Sequence, residues 1–92
     1  MTIRLQAKGE LRECFGEGMV EVPLAEGSTL AGLLAAVEAR WGGSLPPHLW
    51  DTEAGRFRGP VVFMIGKTPV RDMETPLRDG EDVSLFKVLV GG

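Results

Sequence analysis

Only one stretch of this chain has helical periodicity. Leu30, Leu33, Leu34, Val37 and Trp41 fall at i, i+3, i+4, i+7 and i+11, which predicts a helix over 29–41 with one apolar stripe, Glu38 and Arg40 facing elsewhere. A lone helix with one apolar face needs a sheet to cover it, and the flanking segments supply one. Ile3, Leu5 and Ala7 alternate with Arg4, Gln6 and Lys8, the period of two that marks a strand buried on one face. Residues 9–18 mix glycine with charge, and a second strand resumes over 19–24. The pair reads as an antiparallel hairpin with a ten-residue loop, and Pro23 marks a strand end or an edge.

The helix boundaries are written in side-chain chemistry. Ser28 or Thr29 offers a capping oxygen, and Gly42-Gly43 stops the run. Residues 44–60 carry prolines, Trp50 and Gly55, and are too apolar for a disordered linker. They predict an ordered excursion with a helical turn near Leu49. Val61–Ile65 is a buried strand by its length and β-branched content, Gly66-Lys67-Thr68 a turn, and Pro69-Val70 the start of a short return strand. After turn chemistry over 75–81, residues 82–90 form a last strand that runs into Gly91-Gly92. The order β-β-α-β-β-β makes a two-layer α+β domain, four to five strands against one main helix.

Size and composition narrow the chemistry. Ninety-two residues suit one small domain, 1–92, with a modest core. One cysteine and one histidine exclude an iron–sulfur cluster and a structural zinc site, which need about four ligands each, and Cys14 alone forms no internal bridge. Ten basic against thirteen acidic residues, with no basic run, argue against nucleic acid as a partner. The first six residues lack the apolar run of a signal peptide, and the longest strand-like apolar run is Val61 to Ile65. A cytoplasmic protein that does not enter a membrane is expected.

No G-x-S-x-G, P-loop or H-E-x-x-H pattern occurs. His48 lies beside Pro46-Pro47 and reads as a surface or packing residue before a general base, Cys14 as an incidental thiol in a polar loop, and the acidic residues of 72–82 as a solvated face. The feature that chance explains poorly is Gly91-Gly92 directly after an apolar strand. Two residues without Cβ atoms let the main chain lie in a channel too narrow for side chains. The four residues from Leu89 extend about 13 Å, enough to place the Gly92 carboxylate inside a partner's active site. The chemistry is then the partner's, the chain itself is no enzyme, and no cofactor or metal is called for.

The element order, Thr75-Pro76-Leu77-Arg78-Asp79-Gly80-Glu81-Asp82-Val83 before the last strand, and Phe86 through Gly92 together resemble the ubiquitin-like β-grasp sulfur carriers, most closely their MoaD-like branch beside the ThiS-like one. The resemblance spans the whole chain, and the excursion from Leu49 to Phe57 is similar to one in the longer members. It implies a β-grasp domain with a flexible tail at about 89–92. A MoeB/ThiF-like activating enzyme would adenylate the Gly92 carboxylate with ATP, and a sulfur donor would convert it to a thiocarboxylate. Molybdenum or tungsten cofactor synthesis, with a MoaE-like synthase large subunit as partner, leads the implied pathways. Cysteine, methionine, thiamine and tRNA thiolation remain open, as does a protein modifier joined to lysines through Gly92. One departure concerns Phe86, which is followed by Lys87-Val88-Leu89-Val90 where many molybdopterin-synthase small subunits carry prolines.

The last strand also predicts a docking surface. If Val83 and Leu85 face the helix, period two sends Ser84, Phe86 and Val88 outward, and Phe86, Val88, Leu89 and Val90 become the partner-binding residues. The competing expectation is that Trp50 and Phe57 of the excursion cover this patch.

Overall fold

The computed structural model describes residues 1–15 and 19–87. Strands β1 (Thr2–Ala7) and β2 (Met19–Pro23) form the expected antiparallel hairpin, with Ile3 opposite Val22 and Leu5 opposite Val20. Helix α1 (Leu30–Trp41) follows. Then come a two-residue ribbon, β3 (Trp50–Asp51) with β4 (Arg56–Phe57), and strands β5 (Val61–Ile65), β6 (Thr68–Val70) and β7 (Asp82–Lys87). The main sheet has five strands in the order β2-β1-β7-β5-β6. It is mixed, because β7 runs parallel to β1 and antiparallel to β5.

Both layers bury the faces that their periods assign. Leu30, Leu33, Leu34 and Val37 of α1 lie over Ile3, Leu5, Ala7, Val22, Phe63, Val83 and Leu85 of the sheet, all buried. Each large aliphatic side chain so removed from water contributes about 1.5–3 kcal/mol before conformational entropy is subtracted. Trp41, the last member of the stripe, is half-buried and meets Phe15 edge-on at 5.1 Å, with the Arg40 guanidinium 4.6 Å from its ring centre. Of the two candidate caps, Thr29 is the one used. Its Oγ1 accepts from Gly32 N at 3.3 Å, whereas Ser28 Oγ donates to Ala25 O at 2.7 Å.

Two segments depart from the expectation. Residues 9–15, read as open loop, form a 3₁₀ helix whose Leu11 and Phe15 enter the core. The excursion has its helical turn, with Leu49 and Trp50 N–H both donating to Pro46 O, but it then closes into the β3–β4 ribbon. Asp51 Oδ1 accepts from Glu53 N and Ala54 N at 3.1 Å each, and Gly55 takes a φ of 65° that favours glycine, which turns the chain within four residues. Trp50 and Phe57 stack edge-on at 4.8 Å, and Trp50 Nε1 donates to Glu38 Oε2 of the helix. The same carboxylate lies over Gly42, where a Cβ would collide with it and with Glu38 O at 2.6 Å, so Gly42 is glycine for space. Val88–Val90, expected to continue the last strand, lie outside the described residues, as do Gly91 and Gly92.

Two stability outcomes follow from this packing. Leu33→Ala lowers the unfolding free energy by about 2–5 kcal/mol in urea melts, whereas Ala39→Ser on the exposed helix face stays within about 0.5 kcal/mol. Glu38→Ala leaves the buried Trp50 indole N–H without its acceptor and costs about 1–3 kcal/mol, while Glu38→Gln, which keeps an oxygen there, costs less in the same measurement.

Candidate functional site

The site is the end of the sheet from which the tail departs. Strand β7 sits between β1 and β5, and its last residue, Lys87, is paired with Val61 at the start of β5. Lys87, the last described residue, therefore stands at the end of the sheet next to Pro60. Gly59 has a φ of 78°, and a Cβ there would stand 3.3 Å from Lys87 Cε, so the root of the tail is closely packed at a position suited to glycine. Of the predicted site residues, Phe86 is the one described. Val88, Leu89, Val90, Gly91 and Gly92 lie outside the described residues.

Phe86 stands on the face of the sheet opposite the helix. Val83 and Leu85 are buried under α1, while Ser84 and Phe86 alternate to the other side and are half-exposed. Phe86 is directly opposite Val62, and Met64 is opposite both Ser84 and Pro69, so Phe86, Val62, Met64 and Pro69 form one apolar strip across three strands. The excursion does not cover it. Trp50 bonds to Glu38, and Phe57 shares a groove with Ala31, Leu34 and Ala35 of α1, which puts both aromatics on the helix side.

That groove, about 730 Å³, is lined by Leu34, Phe57, Val61, Phe63 and Met73 together with Glu38 and Arg56. It holds no nucleophile or histidine. Cys14 is half-buried in the 3₁₀ segment, and His48 is exposed on the excursion beside Pro47. Among the described residues no group of three or more His, Cys, Asp or Glu side chains is placed to hold a metal ion, and no helix is long and apolar enough to cross a membrane. The groove lined by Phe57 could not have been anticipated without the ribbon that positions that side chain. The strip around Phe86 was visible in part, through the alternation along 82–87, but its Val62 and Met64 members depend on the register between β5 and β7.

Comparison with curated protein sequences gives no match. Among solved structures the fold recurs at low identity. SAMP1 of Haloferax volcanii aligns with a TM-score of 0.77 at 16% identity, over 100% of both chains. Subunits 1 and 2 of the molybdopterin-converting factor from Helicobacter pylori form a protein–protein complex that contains a match with a TM-score of 0.64 at 20% identity, over 100% of both chains. The BexX/CysO complex of Amycolatopsis orientalis contains another, with a TM-score of 0.69 at 21% identity over 98% of this chain and 99% of that one. These likenesses establish a ubiquitin-like β-grasp fold. The ThiS family model matches residues 7–92, all but the first six positions, and the chain belongs to the ThiS family of β-grasp sulfur carriers.

Proposed function

We propose that this chain carries sulfur on its own C-terminal carboxylate. A MoeB/ThiF-like enzyme adenylates Gly92 with ATP, a sulfur donor displaces AMP, and the thiocarboxylate then delivers sulfur to an acceptor. The observation that carries this reading is the family match, which extends over residues 7–92 and so to Gly92. The chemistry is consistent with the inventory of the domain. Adenylation supplies the good leaving group that a carboxylate lacks, and neither step requires a base or a metal from the carrier. The strip of Phe86, Val62 and Met64 is the proposed docking surface, and Val88, Leu89 and Val90 are the residues that enter the partner.

The acceptor proposed first is the precursor of a molybdenum or tungsten cofactor, with a MoaE-like large subunit as the partner. The two-subunit molybdopterin-converting factor supports this choice, as a complex that contains a protein of the same fold. Carriage of sulfur for cysteine or methionine, thiamine or tRNA is the alternative. A second reading, conjugation to lysines through Gly92, is favoured by the likeness to a protein named as a small archaeal modifier, which aligns with a TM-score of 0.77.

Intact-mass analysis separates these readings. After incubation with the cognate activating enzyme, ATP and a sulfide source, the chain gains the mass of one oxygen exchanged for sulfur, and the variant lacking Gly91-Gly92 does not. An unchanged mass for the full chain overturns the carrier reading, and adducts to other proteins through Gly92 select the modifier reading. Phe86→Asp, placed on a half-exposed surface, weakens binding to the activating enzyme about ten-fold or more in calorimetric titration with little change in thermal midpoint.

A further inference from the structure

The chain is acidic overall, yet cations stand at the end of the sheet that holds Lys87. Lys8 continues the β1 ladder, its N–H donating to Leu85 O at 2.9 Å, and the period of β1 brings it to the same face as Phe86. On the far side of Val62 stands Arg71, one residue past Val70, which pairs with Phe63. Arg71 shares a hollow with Pro60, Val61 and Val62. The apolar pair Phe86 and Val62 is thus flanked by a cation on each side. Arg56 and Arg58 line a second hollow with Gly59, against which Lys87 packs. Asp51 lies among these groups, 3.7 Å from Arg58, and Asp72 follows Arg71 with its Oδ1 accepting from Glu74 N. At the opposite end of the sheet the balance differs. Asp79, Glu81 and Asp82 gather there, Asp82 pairs with Arg4 at 2.7 Å, and Asp79 accepts from Thr2 N.

We propose that Lys8, Arg56, Arg58, Arg71 and Lys87 form a basic collar around the root of the tail that docks on an acidic rim at the mouth of the activating enzyme's adenylation site. This rests on the carrier reading and adds the sign of charge that the partner presents. The tail has to be threaded end first, so the encounter is productive in one orientation. A net charge of −3 repels an acidic partner at long range, while a cationic pole at the threading end turns the molecule to face it correctly. Charges on such a rim act on association and are screened by salt, whereas Phe86 and Val62 between them supply the contact area.

The test measures ATP–pyrophosphate exchange by the cognate activating enzyme with the full chain as substrate. Arg71→Glu combined with Lys8→Glu, both exposed, raises KM about ten-fold or more at low salt, leaves kcat within two-fold, and flattens the dependence of KM on salt. Lys67→Glu, in the β5–β6 turn at the other end of the sheet, changes net charge as much as Arg71→Glu alone, leaves all three unchanged and so separates local charge from net charge. Equal KM values and salt dependences for the double variant and the parent chain overturn the collar and leave the carrier reading standing, as does an equal effect from Lys67→Glu. Absence of exchange with the parent chain, or exchange that survives deletion of Gly91-Gly92, overturns the carrier reading and the collar with it.

Discussion

The pairing of β7 between β1 and β5 is the interaction on which the rest of the structure depends. It joins positions nearly eighty residues apart, Arg4 to Asp82 and Ala7 to Leu85, and without it the sheet separates into the β1–β2 and β5–β6 hairpins, each marginal in water. Val83 and Leu85, both fully buried, then hold the helix down at the centre of the sheet. Such long-range closure is entropically costly and tends to slow folding. It also fixes Lys87, the last residue of a central strand, opposite Val61 of β5. The position of Lys87 therefore comes from the same pairing that completes the fold.

A sheet with one open face has to keep its edges from pairing with other chains. The outer strands here do so with prolines. In the β1–β2 pair, Met1 and Leu24 exchange both backbone hydrogen bonds, so Val22 and Val20 bond inward and Pro23 and Glu21 turn their main-chain groups outward. Pro23 has no N–H to offer, and the outward Glu21 carbonyl accepts from Arg40 Nη1 at 3.0 Å. On the other edge Pro69 occupies the middle of β6 opposite Met64. With the edges blunted, the outer face can keep an apolar strip around Phe86 without becoming a template for strand addition.

What was legible in the sequence was whatever repeats with a period. The stripe of α1, the alternation of β1 and β7, and the edge role of Pro23 are each set by local geometry, and each stands where period and proline chemistry put it. The 3₁₀ helix over 9–15 was hidden because glycine and charge dominate its composition. Its signal was the spacing of Leu11 and Phe15, four apart, which becomes meaningful only once the end of the sheet is there to receive them. The ribbon of β3 and β4 was hidden for another reason. Two residues per strand show no period, and its stability comes from the stacked Trp50 and Phe57 and from Glu38 of the helix, contacts made at a distance in the chain. The choice of Thr29 over Ser28 as cap likewise turned on Ser28 bonding back to Ala25, which composition does not reveal.

The candidate site was legible as a motif and not as a place. Gly91-Gly92 names the group proposed to react, and the described structure fixes where its segment begins, at Lys87 opposite Val61. Five residues from Val88 to Gly92 span at most about 18 Å fully extended. On the carrier reading, the adenylation centre then lies within that depth of whatever surface meets Gly59, Arg71 and Phe86. A deeper active site would leave the carboxylate short of ATP, and a shallower one would force the tail to buckle. On that reading the pairing of Lys87 with Val61 sets the depth that five residues can reach, and the ribbon, on the helix side of the same end, is a further element that the proposed partner would meet.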